Sequence, residues 1–420
     1  MAHLESLRWS MVEEGQRDEQ IRPIILVLTD HYVPGFRHGG PIRSIRSLVR
    51  SLDQEFDFRI LTRDRDAGSS QPFAIRRPGE WQRVDGGLVR YLSPRELALD
   101  LWRLLRSTPH DVLYLNSYFS PMFTIFPMIL RLLHVLPRKP VVIAPRGEFS
   151  SGALGIKTLK KRLWKGLADR LGLYRDAIWQ ATNSEEVTQI EAMVGNHARV
   201  QLGPILPDRG SIVADREIEV ATRPKVSGSA RFVFLSRIAP MKNLAFAVSI
   251  LCRETVGRVS LDIYGVVDDE GYWARCRRLI ASCGHSNVVI EYRGELPHEE
   301  VAATLARYDL LLLPSRGENF GHVIFEALAS GCPVAISDRT PWSHVQAEGA
   351  GWVMPLSDGS RWKETVDHVV HADEETLRQL RDAALRVALS QGHRDGDIEM
   401  NRQLFAMAAA SGRAGIQAAE

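Results

Sequence analysis

Residues 309–338, "DLLLLPSRGENFGHVIFEALASGCPVAISD", decide the fold. Leu310 to Leu313 form an apolar run too short for a helix and bounded by Asp309 and Pro314, the pattern of a strand buried on both faces. "RGENF" is a loop, and from Gly321 the apolar spacing becomes helical. That helix stops at Gly331 with Pro333 just beyond, as helix ends do. "PVAIS" is a second buried strand, so the stretch is one strand–helix–strand crossover with parallel strands.

The same alternation runs outward on both sides. Upstream, "IRPIILVLTD", "FDFRILTRD", "LVRYLS", "HDVLYLNSY", "KPVVIAPRG" and "AIWQATN" read as strands, with helical spacing between several of them. The pattern lapses into a Pro-, Gly- and charge-rich stretch after residue 201. It resumes with "RFVFLSR", "VSLDIYGVV", "NVVIEYRG", "YDLLLLPSR", "CPVAISD" and "GWVMPL". The expected fold is α/β: two Rossmann-like, doubly wound parallel-sheet domains facing a cleft. The expected segments are a polar tail (1–20), a first domain (21–205), a linker (206–230), a second domain (231–392) and a helix returning to the first domain (393–412). The returning helix would be anchored by Leu404, Phe405 and Met407. Ligands of such sheets sit beyond the C-terminal strand ends.

Bulk numbers exclude several function classes. A chain of 420 residues is too long for one compact core. Its 53 Lys and Arg against 51 Asp and Glu give no argument for a nucleic-acid partner. Cys252, Cys276, Cys283 and Cys332 have neither metal-pair nor disulfide-framework spacing, so buried reduced thiols are expected. The acidic N-terminus lacks an apolar signal core, and no apolar run reaches the roughly 18 residues of a membrane span. A cytoplasmic protein follows, one that can lie peripherally on the inner face of the cell membrane.

Four stretches carry candidate chemistry. In "LSRIAPMKN", Arg237 and Lys242 follow a strand, and Pro240 forbids a helix between them, so both cations can fold over one loop. A guanidinium fork with a lysine point charge suits a diphosphate, although two solvated loop cations would read the same. In the opening stretch, two helical glutamates eight apart would sit about 80° out of phase. Placing Glu318 in the loop and Glu326 in the helix lets both border one ligand. The first-turn amides around Phe320, Gly321, His322 and Val323 offer an anion site between them. "PGFRHGGPIRSI" is a glycine-rich turn in which Gly39 and Gly40 permit close backbone approach. The span 156–171 combines Lys157, Lys160, Lys161, Arg162, Lys165 and Arg170 with Leu159, Leu163, Trp164, Leu167 and Leu171. That is the composition of a helix on an anionic membrane, and equally of a core-facing helix with a basic outer face. Asp64 and Asp66 spell D-x-D, but the neighbouring arginines offset them and a metal reading gains little.

Together these segments resemble the retaining glycosyltransferases of the GT-B fold, glycosyltransferase family 4 (group 1) type. "ENFGHVIFE" looks like that family's E-x7-E motif, "SRIAPMKN" like its phosphate-binding element, "HGGP" like its N-terminal glycine loop and "GAGWVMPLSD" like its closing turn. The resemblance spans roughly residues 22–405. It implies that Glu326 accepts hydrogen bonds from the ribose of a nucleotide sugar and Glu318 holds the transferred sugar. Arg237 and Lys242 would neutralise the diphosphate, and the backbone of Phe320 to Val323 would lie near phosphate and sugar. Gly39 and Gly40 would approach from the first domain, with the nucleobase near Tyr292, Arg293 and Gly294. No metal or other cofactor is implied. Many relatives carry a histidine beside the reacting sugar where this chain has Arg146, which becomes a candidate acceptor or sugar contact.

The expected activity is transfer of a sugar from a nucleotide diphosphate sugar to a saccharide or lipid-linked acceptor with retention, in surface polysaccharide synthesis. Competing readings are an epimerase or phosphorylase-like enzyme of the same fold and a catalytically silent binding subunit.

Overall fold

A computed structural model describes residues 22–75, 77–149, 158–195, 197–208, 224–253, 256–392 and 394–417. The polar tail, Lys157 and most of the stretch expected as a linker lie outside the described residues. The same holds for the side chains of residues 158–162.

Two sheets form, each nearly all parallel. The first contains β1 (Ile24–Leu28), β2 (Asp57–Arg63), β3 (Gln82–Val84), β4 (Gly87–Leu92), β5 (Val112–Leu115), β6 (Val141–Ile143), β7 (Ile178–Ala181) and β8 (Arg199–Leu202). Its strand order is β3-β4-β2-β1-β5-β6-β7-β8, with β3 antiparallel to β4. The second contains β9 (Ser229–Leu235), β10 (Arg258–Tyr264), β11 (Val288–Gly294), β12 (Leu310–Leu313), β13 (Val334–Ser337) and β14 (Gly351–Met354). Its order is β11-β10-β9-β12-β13-β14, all parallel. The chain reverses direction of growth between β1 and β5 in the first sheet and between β9 and β12 in the second. Crevices open at such points, beyond the carboxyl ends of the strands.

Strand periodicity builds the core directly. Along β1, Leu26 and Leu28 pack into one apolar cluster while Ile25 and Val27 pack into another on the opposite face. The second domain has a single large cluster around Phe232, Phe234, Leu311, Ile324, Phe325 and Trp342. The opening stretch folds as read: strand Leu310–Leu313, helix His322–Ala329 and strand Val334–Ser337.

The last helix, Asp395–Gln417, packs on the first domain. Leu404 and Phe405 are buried there, with the Phe405 ring 5.1 Å from that of Tyr114. Met407, expected as a third anchor, is exposed at 37%, because it falls two positions from Phe405 and outside the buried stripe. The cysteine expectation is also corrected. Cys252 and Cys283, 31 residues apart, meet with Cα atoms 5.3 Å apart and form a disulfide, while Cys276 and Cys332 are free and buried. The two paired cysteines end adjacent helices, a proximity that sequence separation does not encode. Among the described residues no helix is long and apolar enough to cross a membrane.

Candidate functional site

The loops after β1, β6, β9 and β12 converge on one cavity of about 310 Å³ between the domains. From the first domain it is lined by Phe36 to Pro41, Arg43, Ser44 and Arg146, and from the second by Arg237, Lys242 and Glu318 to Val323. Sequence-selected residues from distant stretches thus share one wall system.

Lys242 and Glu318 meet in an ion pair that the sequence reading did not anticipate. Lys242 Nζ donates to Glu318 Oε1 at 2.6 Å and Oε2 at 2.8 Å. Both side chains are largely buried, which strengthens the pair relative to a surface bridge. Arg237 pairs instead with Asp268 at 2.7 Å and is nearly half exposed. The helix beyond Glu318 begins at His322, with Gly321 at φ 81° as its N-cap. An L side chain is disfavoured at that angle, and a Cβ there would lie 2.9 Å from Ile324. No side chain caps the helix, so its first-turn amides and positive dipole end front the cavity.

Glu326 does not line the cavity. It sits on the buried face of the helix, where Arg43 Nη1 reaches Oε1 at 2.5 Å and Oε2 at 2.6 Å, with His298 3.9 Å away. Burial pushes its carboxyl above the ordinary glutamate range, against the opposing pull of Arg43. In this state, therefore, the two glutamates are not two open jaws: one faces the cavity and the other is engaged by the first domain. One turn away, the His322 ring is buried with Nε2 2.9 Å from Ser44 Oγ. Burial, aided by the charges of Arg43 and Arg146, holds its pKa well below the usual histidine value.

Gly39 and Gly40 line the cavity from the first domain. Gly39 adopts φ 69°, and a Cβ on Gly40 would come within 3.3 Å of the His322 ring, so the glycine turn lets the two domains touch. Arg293 is a correction. It lies on an edge strand, where side chains alternate, and points with Glu291 toward Asp262, away from the cavity. Gly294 reaches the site only indirectly, its carbonyl accepting from Gly265, which does line the cavity together with Glu295 and Leu296. Asp66, one half of the D-x-D, accepts from the backbone N–H groups of Phe36, Arg37 and Ala67 and so shapes the glycine loop.

Residues that sequence reasoning missed come mostly in pairs across the cleft. Besides Arg43–Glu326 and Ser44–His322, Arg37 pairs with Glu295 at 3.0 Å, and Thr182 Oγ1 donates to Asn319 Oδ1 at 2.9 Å. Their only sequence signal is adjacency to a recognised motif: Arg43 and Ser44 follow the glycine loop and Asn319 follows Glu318.

Residues 215–387 match the family model described as "Glycosyl transferases group 1". The chain is 28% identical over 169 residues to glycogen synthase of Mycobacterium tuberculosis, covering 38% of this chain and 39% of that one. It therefore spans well under half the length of that curated relative. In three dimensions it is similar to sucrose-phosphate synthase from Thermosynechococcus elongatus, with TM-score 0.67, 15% identity and coverage of 93% and 100% of the two chains. It is equally similar to Anabaena HepE in complex with UDP and glucose, with TM-score 0.66, 14% identity and the same coverages. Over residues 215–387 the chain is thus similar to the glycosyl transferases group 1, and its described residues form the two parallel-sheet α/β domains of the GT-B fold.

Proposed function

We propose that this protein is a retaining glycosyltransferase that moves a sugar from a nucleotide diphosphate sugar to a saccharide or lipid-linked acceptor. The observation that carries the reading is the convergence of Lys242, Arg237, Glu318 and an uncapped helix start on one cavity between the domains. A diphosphate leaving group develops negative charge as its bond to the sugar breaks. A lysine, an arginine and a helix N-terminus stabilise that charge with no metal ion in the scheme. Glu318, already beside Lys242, takes sugar hydroxyls, and Glu326 takes the ribose once Arg43 has moved aside. The nucleobase lies toward Gly265, Glu295 and Leu296, which shifts the base contact slightly along the chain from Arg293 and Gly294.

The acceptor approaches from the first domain. A second groove of about 730 Å³ shares Phe36, Gly39 and Arg43 with the cavity and runs along Ile42, Arg46 and Tyr91. A peripheral membrane setting, as in surface polysaccharide synthesis, is supported by the helix Thr158–Arg170. Leu163 and Leu167 are exposed at 67% and 50%, and Leu171 just past the helix at 46%, beside the exposed Arg170, while Lys165 pairs with Asp169.

The test is product analysis with purified full-length protein, a nucleotide-sugar panel and saccharide acceptors. Nucleoside diphosphate release only when acceptor is present, with the product's anomeric coupling matching the donor's, is expected. Release without acceptor, or an inverted product, overturns the transferase or the retaining part respectively.

A further inference from the structure

Among the described residues five cations, Arg37, Arg43, Arg146, Arg237 and Lys242, line the cavity, and four of them are held by carboxylates. Arg37 pairs with Glu295, Arg43 with Glu326, Arg237 with Asp268 and Lys242 with Glu318. Arg146 differs: its guanidinium donates only to neutral oxygens, from Nη2 to Tyr114 Oη at 2.7 Å and to Asn116 Oδ1 at 3.0 Å. Its Nη1 has no acceptor among the described residues.

The position of this charge is fixed from behind. Arg146 and Gly147 both adopt left-handed backbone, at φ 55° and 80°, a conformation costly for arginine that persists only where the surroundings impose it. Tyr114 Oη passes the contact to Gln180 Oε1 at 2.5 Å, and Gln180 Nε2 donates to Asn401 Oδ1 at 3.0 Å on the returning helix. This chain is buried, so the guanidinium is preorganised by the fold's core and by its last helix.

A second observation points to a missing acceptor. The buried amide nitrogens Asn116 Nδ2 and Asn319 Nδ2 have no hydrogen-bond partner among the described residues. Asn116 holds Arg146, and Asn319 lies against Gly147, where a Cβ would come within 3.4 Å of it. The buried Glu186 carboxylate in this corner is already taken up by the Gly147 N–H and by Thr182, so Arg146 and the two amide nitrogens keep donors for which no acceptor is supplied, the complement of an anion.

We propose that Arg146 binds an anionic group on the sugar substrate, a carboxylate or phosphate separate from the donor's diphosphate. The group belongs either to the transferred sugar, as in a uronic acid, or to the sugar of the acceptor. The proposal rests on the nucleotide-sugar reading of the cavity.

Calorimetry on the full chain separates the cases. A panel of UDP, GDP, ADP and dTDP first identifies the base. In the donor arm, that nucleotide's glucuronate and galacturonate sugars are compared with its glucose and galactose sugars. In the acceptor arm, with the nucleoside diphosphate saturating, methyl glucuronoside and glucose 6-phosphate are compared with methyl glucoside. The anionic sugar is expected to bind roughly 10- to 100-fold more tightly in one arm, the arm naming its source. Arg146→Gln should abolish that preference while leaving nucleoside diphosphate affinity intact, which also certifies its folding, and Arg146→Lys should keep part of it. No preference in either arm, or a preference that survives Arg146→Gln, overturns the proposal. So does an Arg146→Gln variant that loses nucleoside diphosphate affinity to the same degree, since Arg146 would then serve the diphosphate. Failure of every nucleoside diphosphate to bind wild-type protein sinks the donor-site reading itself, and this proposal with it.

Discussion

Arg43 of the first domain holds both carboxylate oxygens of Glu326 of the second, at 2.5 and 2.6 Å, across the cleft. The contact is a latch as well as a competitor, because the oxygens that Arg43 occupies are those proposed to receive the ribose. Arg43→Ala should therefore do two things at once. With its counter-ion gone, the buried Glu326 is relieved by opening of the cleft, so the radius of gyration from small-angle scattering should increase. Nucleoside diphosphate affinity should rise severalfold, equivalent to about 1 kcal/mol, since the competitor is absent. An affinity that falls would show that Arg43 assists the donor instead.

Glu326→Ala removes the receiving carboxylate and should cost the opposite way. Loss of one ribose contact weakens nucleoside diphosphate binding by about 1 to 3 kcal/mol. The matched control is binding of inorganic pyrophosphate, which has no ribose and should be unaffected. Equal losses for both ligands would mean that Glu326 acts only through domain closure.

Lys242 and Arg237 should not contribute equally. Lys242 is 16% exposed and tied to Glu318, whereas Arg237 is 43% exposed and tied to Asp268 in solvent. A desolvated cation stabilises developing charge far more than a screened one. Lys242→Met should lower kcat/KM about 100- to 1000-fold, the range for removing one preorganised contact to a developing anion. Arg237→Met should lower it about tenfold, and its effect should shrink in high salt. Steady-state kinetics at two ionic strengths checks both, and a reversed order would relocate the leaving diphosphate toward Arg237.

How much of this was legible in the sequence follows from the range of the forces involved. Strands of the opening kind, such as Leu310–Leu313, are legible because burial on both faces leaves a continuous apolar run. The edge strands β3 and β8 were not, since Gln82–Val84 is only three residues and Arg199–Leu202 is largely exposed, so neither shows an apolar pattern. That Glu318, Lys242 and the glycine loop lie at the cleft is legible because each follows a strand directly, a matter of local chain geometry. Arg43, Asn319 and the Cys252–Cys283 bond were not, because each depends on which surfaces two distant segments present to each other. Arg293 misled for a related reason: proximity in sequence to the site does not say which side of an edge strand its side chain takes.

The His322 ring gives a pH signature of the closed cleft. Its folded pKa is depressed well below the ordinary histidine value, with burial the largest cause and the charges of Arg43 and Arg146 next. A depressed group contributes stability that is present above its unfolded pKa, about 6.5, and is lost as pH falls toward its folded value. Between pH 7 and pH 5 this ring should therefore remove stability progressively as pH falls below the unfolded value. Glu326 acts with the opposite sign, because its raised pKa makes the folded state bind protons more readily than the unfolded chain as pH falls. Asp208 and His298 also face this cluster, so the raw slope mixes several groups. The informative quantity is the difference between wild type and His322→Gln in denaturant unfolding at pH 7 and pH 5. The variant keeps a hydrogen-bonding side chain for Ser44 and cannot titrate, so it should lose less stability than wild type over that interval. Identical losses in both proteins would mean that the ring protonates freely, and that the Gly40–His322 contact between the domains is open in solution.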